Sequence, residues 1–391
     1  KDNLYDIDIA KITGKRNEKV NATKGQNVID QLHRDFGHIA IPKIVQMQRH
    51  GLLEFPAKDL KTANQCPCKG CNENTYNMTH RGHSRRDAVT RNAIRPEKVG
   101  NIHADIAFLN KESKFQNSVL WLDKKSRFTH AHINTIEKPN HEDMIGWLED
   151  LQKILEKDGH KLTTLRFDGE PSVMDTITQQ WLKDNQITFE RNTSSEQNLA
   201  EPKIRRIREK TNKMMFHRNC PKFLEPFAWR YACQIDTIIP TDALQGRTPY
   251  QEYYQESPYR TISRVKEFGS IVYHRPEKLR KQEPAIAFIF VGFDDIRSAN
   301  YWLYNQKTQR ITTVNEAKFI TAQLSSNWFS NIMYDQDINF AQGTEISPID
   351  LTKFKLDPLP AKLTIEPDET MTIVKSTEFA DLPELVDRSE D

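Results

Sequence analysis

Two histidines and two cysteines in the first fifth of the chain have the spacing of a metal site. His33 and His38 are separated by four residues, and Cys68 and Cys71 by two. Nitrogen and thiolate donors of this kind bind Zn²⁺ tetrahedrally, and four protein ligands leave no open position, so the site would be structural. Cys66 could replace Cys68 as a ligand or take no part. The alternative is two surface histidines and a loop with free thiols, but this part of the chain lacks the apolar residues to fold unaided.

Three carboxylates further along the chain are candidates for a second metal site. Asp105 lies within one strand-like run, Asp168 at the end of another, and Glu201 at the start of a basic helical segment. Acids in such places are costly to bury unless they bind a cation. Together they can hold two Mg²⁺ ions about 4 Å apart, which activate a nucleophilic oxygen and stabilise a leaving oxygen at phosphorus. Taken singly, they could be a sheet-edge aspartate, a helix cap and a first-turn acid.

A dense row of basic residues follows Glu201. In this position it would contact phosphates beside the carboxylates and give salt-sensitive affinity for DNA that is largely independent of sequence. The residues are Lys203, Arg205, Arg206, Arg208, Lys210 and Lys213. The same row could be a solvated helix face, and a nuclear import signal could coexist with DNA binding. A second basic stretch at 80–91 is suited to crossing DNA between domains, and a third, weaker one lies at 278–281.

The elements that must position these residues follow from hydrophobic periodicity. Helices are predicted near 28–33 and over 42–50, where Pro42 suits a first-turn position. From residue 99, three strand-like runs are followed by alternating helix and strand, which predicts a mixed α/β sheet with helices on its faces. The predicted strands are 102–109, 118–123, 128–133, 162–167 and 187–189, and the helices are 144–155, a segment through 181–182, and 202–216.

A further helix is predicted over 223–239, and the chain beyond it changes character. Four strand-like runs alternate with turns, which predicts a small antiparallel barrel. They cover 270–274, 285–293, 301–305 and 311–313. Four tryptophans on apolar faces are predicted to lie in the core, namely Trp121, Trp147, Trp181 and Trp229.

The composition sets limits on the class of protein. A length of 391 residues predicts two to four domains, and no apolar run approaches the ~18 residues of a membrane span. Of the 56 basic and 54 acidic residues, 5 and 14 fall in 323–391. The rest of the chain is therefore basic, which favours a polyanion partner, and the acidic tail is predicted to be disordered. Five cysteines, three of them within six residues, favour an intracellular metal site over a disulfide framework.

In their order, these landmarks resemble the integrase of Ty1/copia-type LTR retrotransposons. The similarity spans residues 33 to about 320. It consists of His33-x4-His38, Cys68-x2-Cys71, Asp105 in a His-x-Asp context, Asp168 before Gly169, Gln197-Asn-Leu-Ala-Glu201 with basic residues after it, Thr248-Pro-Tyr-Gln-Glu252, Phe268-Gly269 and Phe290-Val-Gly-Phe293.

The resemblance implies a multidomain α/β protein with an RNase H-like core whose DDE triad is Asp105, Asp168 and Glu201. These three would hold two Mg²⁺ or Mn²⁺ ions, and the His33, His38, Cys68 and Cys71 group would hold a structural Zn²⁺. The implied organisation is an N-terminal arm over 1–23, an HHCC zinc-binding N-terminal domain with a basic linker over 24–98, the catalytic core over 99–222, a helical connection over 223–265, a small C-terminal β-barrel over 266–322, and an acidic tail over 323–391.

The spacing departs from the family pattern around the third carboxylate. Only 32 residues separate Asp168 from Glu201, fewer than is typical, and Pro202 stands where the family has arginine. Because proline suits the first turn, we expect the helix to begin at Pro202 with Glu201 at its cap. Glu196 and Glu209 are alternative third carboxylates.

The activity implied by the resemblance is polynucleotidyl transfer. The enzyme would join the 3′ ends of linear LTR cDNA to target DNA by two-metal transesterification, as a multimer on paired ends. It would act in the nucleus after import from a cytoplasmic virus-like particle, with the tail available to a host targeting factor and no membrane partner. One alternative is a domesticated DNA- or chromatin-binding protein. The other is a DDE transposase or RNase H-like nuclease, which is disfavoured because the similarity to the integrase family continues beyond Phe268.

Overall fold

A computed structural model gives the fold of the chain. It describes residues 28–56, 59–60, 68, 70–71, 96–109, 115–136, 138–167, 175–191, 198–275, 285–306 and 308–319. The predicted arm and acidic tail, the basic stretches at 80–91 and 278–281, and Cys66, Asp168 and Glu196 lie outside these residues, and what was inferred for them stays a prediction.

Two short helices open the described part of the chain, α1 (Val28–Asp35) and α2 (Ile41–Arg49). They pack through Ile29 on α1 and Ile44 and Met47 on α2, all fully buried. Pro42 is the second residue of α2, which confirms its predicted first-turn position. Proline is tolerated there because the first N–H groups of a helix have no intrahelical acceptor.

A mixed five-stranded sheet follows, in the order β3-β2-β1-β4-β5. Strand β1 is antiparallel to β2 on one side and parallel to β4 on the other. The strands are β1 (Asn101–Phe108), β2 (Asn117–Asp123), β3 (Thr129–Asn134), β4 (Thr164–Phe167) and β5 (Thr188–Arg191). The predicted three strands followed by alternating helix and strand are confirmed.

Helices lie against this sheet because each carries an apolar stripe. Helix α3 begins at a capping box formed by Asn140 and Asp143 and buries Met144, Leu148 and Leu151. The helices are α3 (His141–Lys157), α4 (Thr176–Asp184), α5 (Ala200–His217) and α6 (Glu225–Thr237). Of the four tryptophans predicted for the core, Trp121, Trp147 and Trp229 are buried and Trp181 is partly buried against the same core.

Helix α6 is packed on several sides and contacts α5, β3 and the second sheet. The Phe227 ring makes edge contacts with Phe115, just before β2, and with Trp302 in the second sheet, at centroid distances of 5.8 and 6.3 Å. The segment expected to be a helical connection therefore supplies an interior helix shared by both sheets.

The second sheet is antiparallel, with the order β10-β6-β7-β8-β9. A bulge between Phe290 and Gly292 bends β7 where it crosses α6. Gly292 has φ +121°, and a Cβ there would lie 3.2 Å from Tyr231 Cβ, so a side chain would be strained and crowded. The strands are β6 (Ile271–His274), β7 (Ile286–Phe293), β8 (Tyr301–Asn305), β9 (Arg310–Val314) and β10 (Lys318–Phe319). Among the described strands no pairing joins β10 to β9, and closure into a barrel stays a prediction.

Two short helices connect α6 to this sheet, α7 (Pro249–Tyr254) and α8 (Tyr259–Arg264). The Thr248-Pro-Tyr-Gln segment begins α7 as a capping box, in which the side chains of Thr248 and Gln251 each accept the other's backbone N–H. This motif therefore has a structural explanation. Within the described ranges, no helix combines the length and apolarity needed to cross a membrane.

Candidate functional site

Four side chains from separate parts of the N-terminal segment meet at one point. His33 lies near the end of α1, His38 in the turn after it, and Cys68 and Cys71 on either side of Gly70. The donor atoms of the two histidines and two cysteines all lie within 4.8 Å of one another. The two histidines and two cysteines that the sequence analysis grouped by their spacing therefore also lie together in the structure.

The distances within this cluster suit a tetrahedral metal ion. Cys71 Sγ lies 3.3 Å from His33 Nε2, and Cys68 Sγ lies 3.1 Å from His38 Nδ1. At ordinary Zn–S and Zn–N bond lengths, tetrahedral ligand atoms are about 3.3–3.8 Å apart, so the Cys71–His33 distance lies in this range and the Cys68–His38 distance slightly below it. Two thiolates and two imidazoles are also a donor set that Zn²⁺ prefers, so the residues fit this ion in both size and chemistry.

The orientation of His33 is fixed by the backbone. Its Nδ1 lies 2.7 Å from the carbonyl oxygen of Ile39. Because a carbonyl only accepts, Nδ1 carries the proton, and Nε2 presents its lone pair toward Cys71. This is the arrangement that an outer partner imposes on a metal-binding histidine.

His38 occupies a strained position. It has φ +61° and follows Gly37 at φ +67°, so the turn after α1 contains two successive left-handed residues. A left-handed non-glycine residue is uncommon and is often found at functional sites. Burial lowers the pKa of His38, although contact with Cys68 acts in the opposite direction, so the ring is held in the neutral form that binds metals.

The two thiols shift each other's pKa in opposite directions. Contact with Cys71 lowers the pKa of Cys68 despite its partial burial, and the same contact raises the pKa of Cys71. A bound divalent cation would keep both groups as thiolates.

Asp105 lies in β1 between two paired strands. It is half-buried, it stands opposite Leu120 in β2, and its Oδ1 accepts the N–H of Ile106 at 2.8 Å. On the other side of β1, Ala104 pairs with Phe167, the last residue of β4. The next residue, Asp168, lies outside the described residues, and its place beside Asp105 stays a prediction.

The N-terminus of α5 is tied to β1 next to Asp105. Asn198 Nδ2 donates to the carbonyl oxygen of Ala104 at 2.9 Å, and the N–H of Leu199 donates to His103 Nδ1 at 3.2 Å. Both acceptors lie within two residues of Asp105. Helix α5 therefore starts at a fixed position on the strand that carries the first predicted carboxylate.

Glu201 lies inside this helix and not at its cap. Helix α5 begins at Ala200 with Leu199 as its N-cap, so Glu201 is the second helical residue and is exposed. The expectation that the helix starts at Pro202 is wrong by two residues. Pro202 occupies the third position, where its missing N–H removes no helical hydrogen bond.

Glu209 is a weaker candidate than Glu201 for the third carboxylate. It lies eight residues further along α5, which places it about 12 Å from Glu201 along the helix axis. Asn198 and Leu199 contact β1 within two residues of Asp105, whereas Arg208, next to Glu209, contacts the carbonyl oxygen of Phe108 at the end of β1, three residues beyond Asp105.

His103 supports this site and was not recognised from the sequence. Its ring is buried, and burial lowers its pKa to about 4, followed by repulsion from Arg166. The ring is therefore neutral near pH 7, and its Nδ1 is free to accept the N–H of Leu199. The only sequence signal was the His-x-Asp spacing, which places His103 and Asp105 on one face of β1.

The basic row on α5 divides into structural and exposed residues. Lys203 is only 3% exposed, and both Lys203 and Lys210 donate to the carboxylate of Asp236 on α6. Burial alone would raise the pKa of Asp236, but the two lysines hold it well below its usual range. These two ammonium groups therefore stabilise the α5–α6 contact, and the predicted contact of these two lysines with DNA stays a prediction.

Two arginines of the row face solvent, and the two remaining members, Arg208 and Lys213, are partly buried. Arg205 and Arg206 are exposed. Arg208 donates to the carbonyl oxygen of Phe108 at 2.7 Å and lies 5.7 Å from the Trp229 ring centroid. Lys213 is half-buried. Arg205 and Arg206 are thus the members best placed to reach phosphates.

No family model matches the sequence, and no curated protein is similar enough to count as a relative. Solved structures to which the chain is similar include the HTLV-2 integrase catalytic core domain in complex with magnesium, in a trimeric form, with 17% identity, 41% of this chain and 99% of that chain covered, and a TM-score of 0.33. A second is the simian T-cell lymphotropic virus intasome in complex with PP2A regulatory subunit B56 gamma, with 11% identity and a TM-score of 0.39. That match covers 75% of this chain and 98% of that chain. A third is the BIV integrase catalytic core domain, with 14% identity and a TM-score of 0.30. That match covers 40% of this chain and 94% of that chain.

Proposed function

We propose that this chain is an integrase of the Ty1/copia type, a polynucleotidyl transferase that joins the 3′ ends of linear LTR cDNA to target DNA. The observation that carries the proposal is the attachment of α5 to β1 through Asn198 and Leu199. It holds the first turn of α5, which carries Glu201, against the strand of Asp105. Two exposed arginines follow on the same helix, which suits an enzyme acting on a phosphodiester.

The carboxylates Asp105, Asp168 and Glu201 would hold two Mg²⁺ or Mn²⁺ ions, because these cations prefer carboxylate oxygens. When bound, the ions would supply Lewis-acid activation of a 3′-hydroxyl and charge stabilisation for the leaving oxygen. The neutral His103 ring and Asn198 keep the start of α5 in register with β1. Arg205 and Arg206 would contact the DNA backbone beside the reacting phosphate.

The His33, His38, Cys68 and Cys71 cluster would hold one structural Zn²⁺. All four ligand positions are taken by protein side chains, so the ion would stabilise the N-terminal segment and take no part in catalysis.

Assembly and location follow from the reaction. Concerted joining requires two DNA ends at once, so we propose a homo-oligomer on paired ends, acting in the nucleus. The acidic tail is proposed to contact a host targeting factor, which would affect the place of insertion and not the chemistry.

A strand-transfer assay on paired DNA ends in Mg²⁺ tests the proposal, with Glu201→Gln compared with Glu209→Gln in the full chain. Glu201→Gln should reduce joining to background with DNA binding retained, because it removes a metal ligand and not a phosphate contact. Glu209→Gln makes the same change of charge on the same helix and should remain active.

Joining by Glu201→Gln at the wild-type rate would show that the third carboxylate is misassigned. A wild-type chain that binds DNA but never joins it in Mg²⁺ or Mn²⁺ would favour the domesticated DNA-binding protein.

A further inference from the structure

The histidine at the end of α5 lies between the zinc cluster and a buried acid. His217 Nδ1 is 3.5 Å from Cys68 Sγ, and His217 Nε2 is 3.2 Å from Glu267 Oε1. Each ring nitrogen is therefore within reach of an anionic group, so whichever nitrogen carries a proton has an acceptor for it. His217 is not one of the four donors that converge on one point.

Glu267 is held in place from other parts of the chain. Its carboxylate is 4% exposed and receives two hydrogen bonds from Arg218, at 2.8 and 2.5 Å. Arg34 of α1 lies 3.6 Å from the same carboxylate. A buried carboxylate with bidentate arginine contact is a rigid partner, so it fixes the His217 ring that it contacts.

The cysteine pair is pressed directly onto α5. A Cβ on Gly70, between Cys68 and Cys71, would lie 2.7 Å from the carbonyl oxygen of Lys213 and 3.1 Å from His217 Cβ. Only a residue without a side chain allows this approach of the cysteine segment to the helix backbone. The turn before His38 repeats the pattern, because a Cβ on Gly37 would lie 2.9 Å from Lys210 Cγ.

We propose that His217 and Glu267 form the outer shell of the zinc site, so that metal binding by the four ligands also holds the N-terminal segment on α5 of the same chain. The His217 ring contacts the Cys68 sulfur and orients this ligand, while Glu267 orients the ring. Removal of zinc would then loosen the C-terminal turn of α5 as well as the metal-binding segment. Partners of this kind raise the metal affinity of a site without binding the metal.

Competition for zinc between the full, zinc-loaded chain and a chromogenic chelator tests this coupling. His217→Ala should weaken zinc affinity by about 10- to 100-fold, the usual effect of losing an outer-shell partner. His217→Asn keeps an amide near the position of Nδ1 and should recover part of that loss. His141→Ala is the matched control, since His141 is also partly exposed and lies 3.1 Å from a carboxylate, that of Asp175 on α4's N-cap.

Hydrogen exchange gives a readout that does not depend on the variant. Stripping zinc from the wild-type chain should speed exchange of the backbone amides at 213–220 in addition to those around His33 and His38. A zinc affinity in His217→Ala within about threefold of the wild type, an equal loss in His141→Ala, or unchanged exchange at 213–220 would each overturn the coupling.

The inference rests on the zinc site proposed above. A chain that binds no zinc refutes that site, whereas a chain that binds zinc with no dependence on His217 refutes only the coupling. Neither result bears on the DNA-joining activity.

Discussion

The amide of Asn198 donates to the carbonyl oxygen of Ala104, while its own Oδ1 accepts the N–H of Ala200 at 3.0 Å. One buried side chain thus connects the residue before Asp105 to the first residue of α5. The relative position of Asp105 and Glu201 depends on this connection, since Glu201 directly follows Ala200.

Asn198→Asp should keep the acceptor for Ala200 and lose the donor to Ala104. We expect a loss of about 1–3 kcal/mol of stability from the unsatisfied carbonyl, and a fall in strand transfer of about 100-fold from displacement of Glu201. Chemical denaturation and the joining assay measure the two effects. Asn185→Asp is the matched control, because Asn185 Nδ2 also donates to a backbone carbonyl at 2.9 Å, that of Trp181. Equal losses of activity in both variants would refute the positioning role.

Asp236→Asn should destabilise the protein without weakening its affinity for DNA. The variant leaves the buried ammonium of Lys203 without its anion, which costs about 3–5 kcal/mol. Lys203→Met together with Asp236→Asn should recover most of this loss. Glu256→Gln removes the exposed partner of Arg297 and should cost less than about 1 kcal/mol. Weaker DNA binding by the folded Asp236→Asn protein would show that the lysines do face DNA.

Arg205→Gln combined with Arg206→Gln should weaken binding to unrelated DNA sequences about equally. The slope of log affinity against log salt should become flatter by up to about 1.8, at about 0.9 for each lost phosphate contact. Lys153→Gln with Lys157→Gln on α3 removes the same charge from another exposed helix face and is the control. An unchanged slope of log affinity against log salt in the arginine variant would show that this helix face is solvated and does not contact DNA.

His130 should make the fold less stable in acid. Its ring packs on Phe128 and Tyr253, and burial lowers its pKa to about 4. An unfolded histidine titrates near 6.5, so between these values the unfolded chain binds the extra proton and stability falls as pH falls. The contribution lost between pH 7.5 and 5 is about 2 kcal/mol. His130→Phe should reduce the difference in unfolding free energy between these two pH values by that amount, and an unchanged difference would contradict the assignment.

The helices of the core were predictable because their burial is periodic, whereas β2 is buried along its whole length and was predictable as a short, continuous apolar run. In α3, for example, Met144, Leu148, Leu151 and Leu155 recur on one face and are all buried. The sequence predicts that α5 starts at Pro202, two residues after its actual start at Ala200. Proline is compatible with any position in the first turn, and only the Asn198 and Leu199 contacts with β1 fix where that turn begins.

The candidate sites were predictable only where ligand spacing is local. His33 with His38 and Cys68 with Cys71 are close pairs in the sequence, so their chemistry was visible. His217, which contacts the same cluster, lies 149 residues after Cys68, and Glu267 lies further along the chain. No spacing rule connects residues so far apart in the sequence. For the same reason Lys203 was predicted to contact DNA and not Asp236, since Asp236 lies on a different helix.

The position of α6 between the two sheets limits how this protein can be divided. A fragment that ends after α5 would lose Phe227 and expose the face of Phe115 that it covers, and a fragment that begins at β6 would lose Tyr231 from its contacts with Phe290 and Phe293. Neither fragment is therefore an independently folding domain that could be replaced by the corresponding part of a homologous protein. Both sheets should melt in one calorimetric transition, and chimeras with homologous chains should fold only when their breakpoints leave α6 with both of its neighbours.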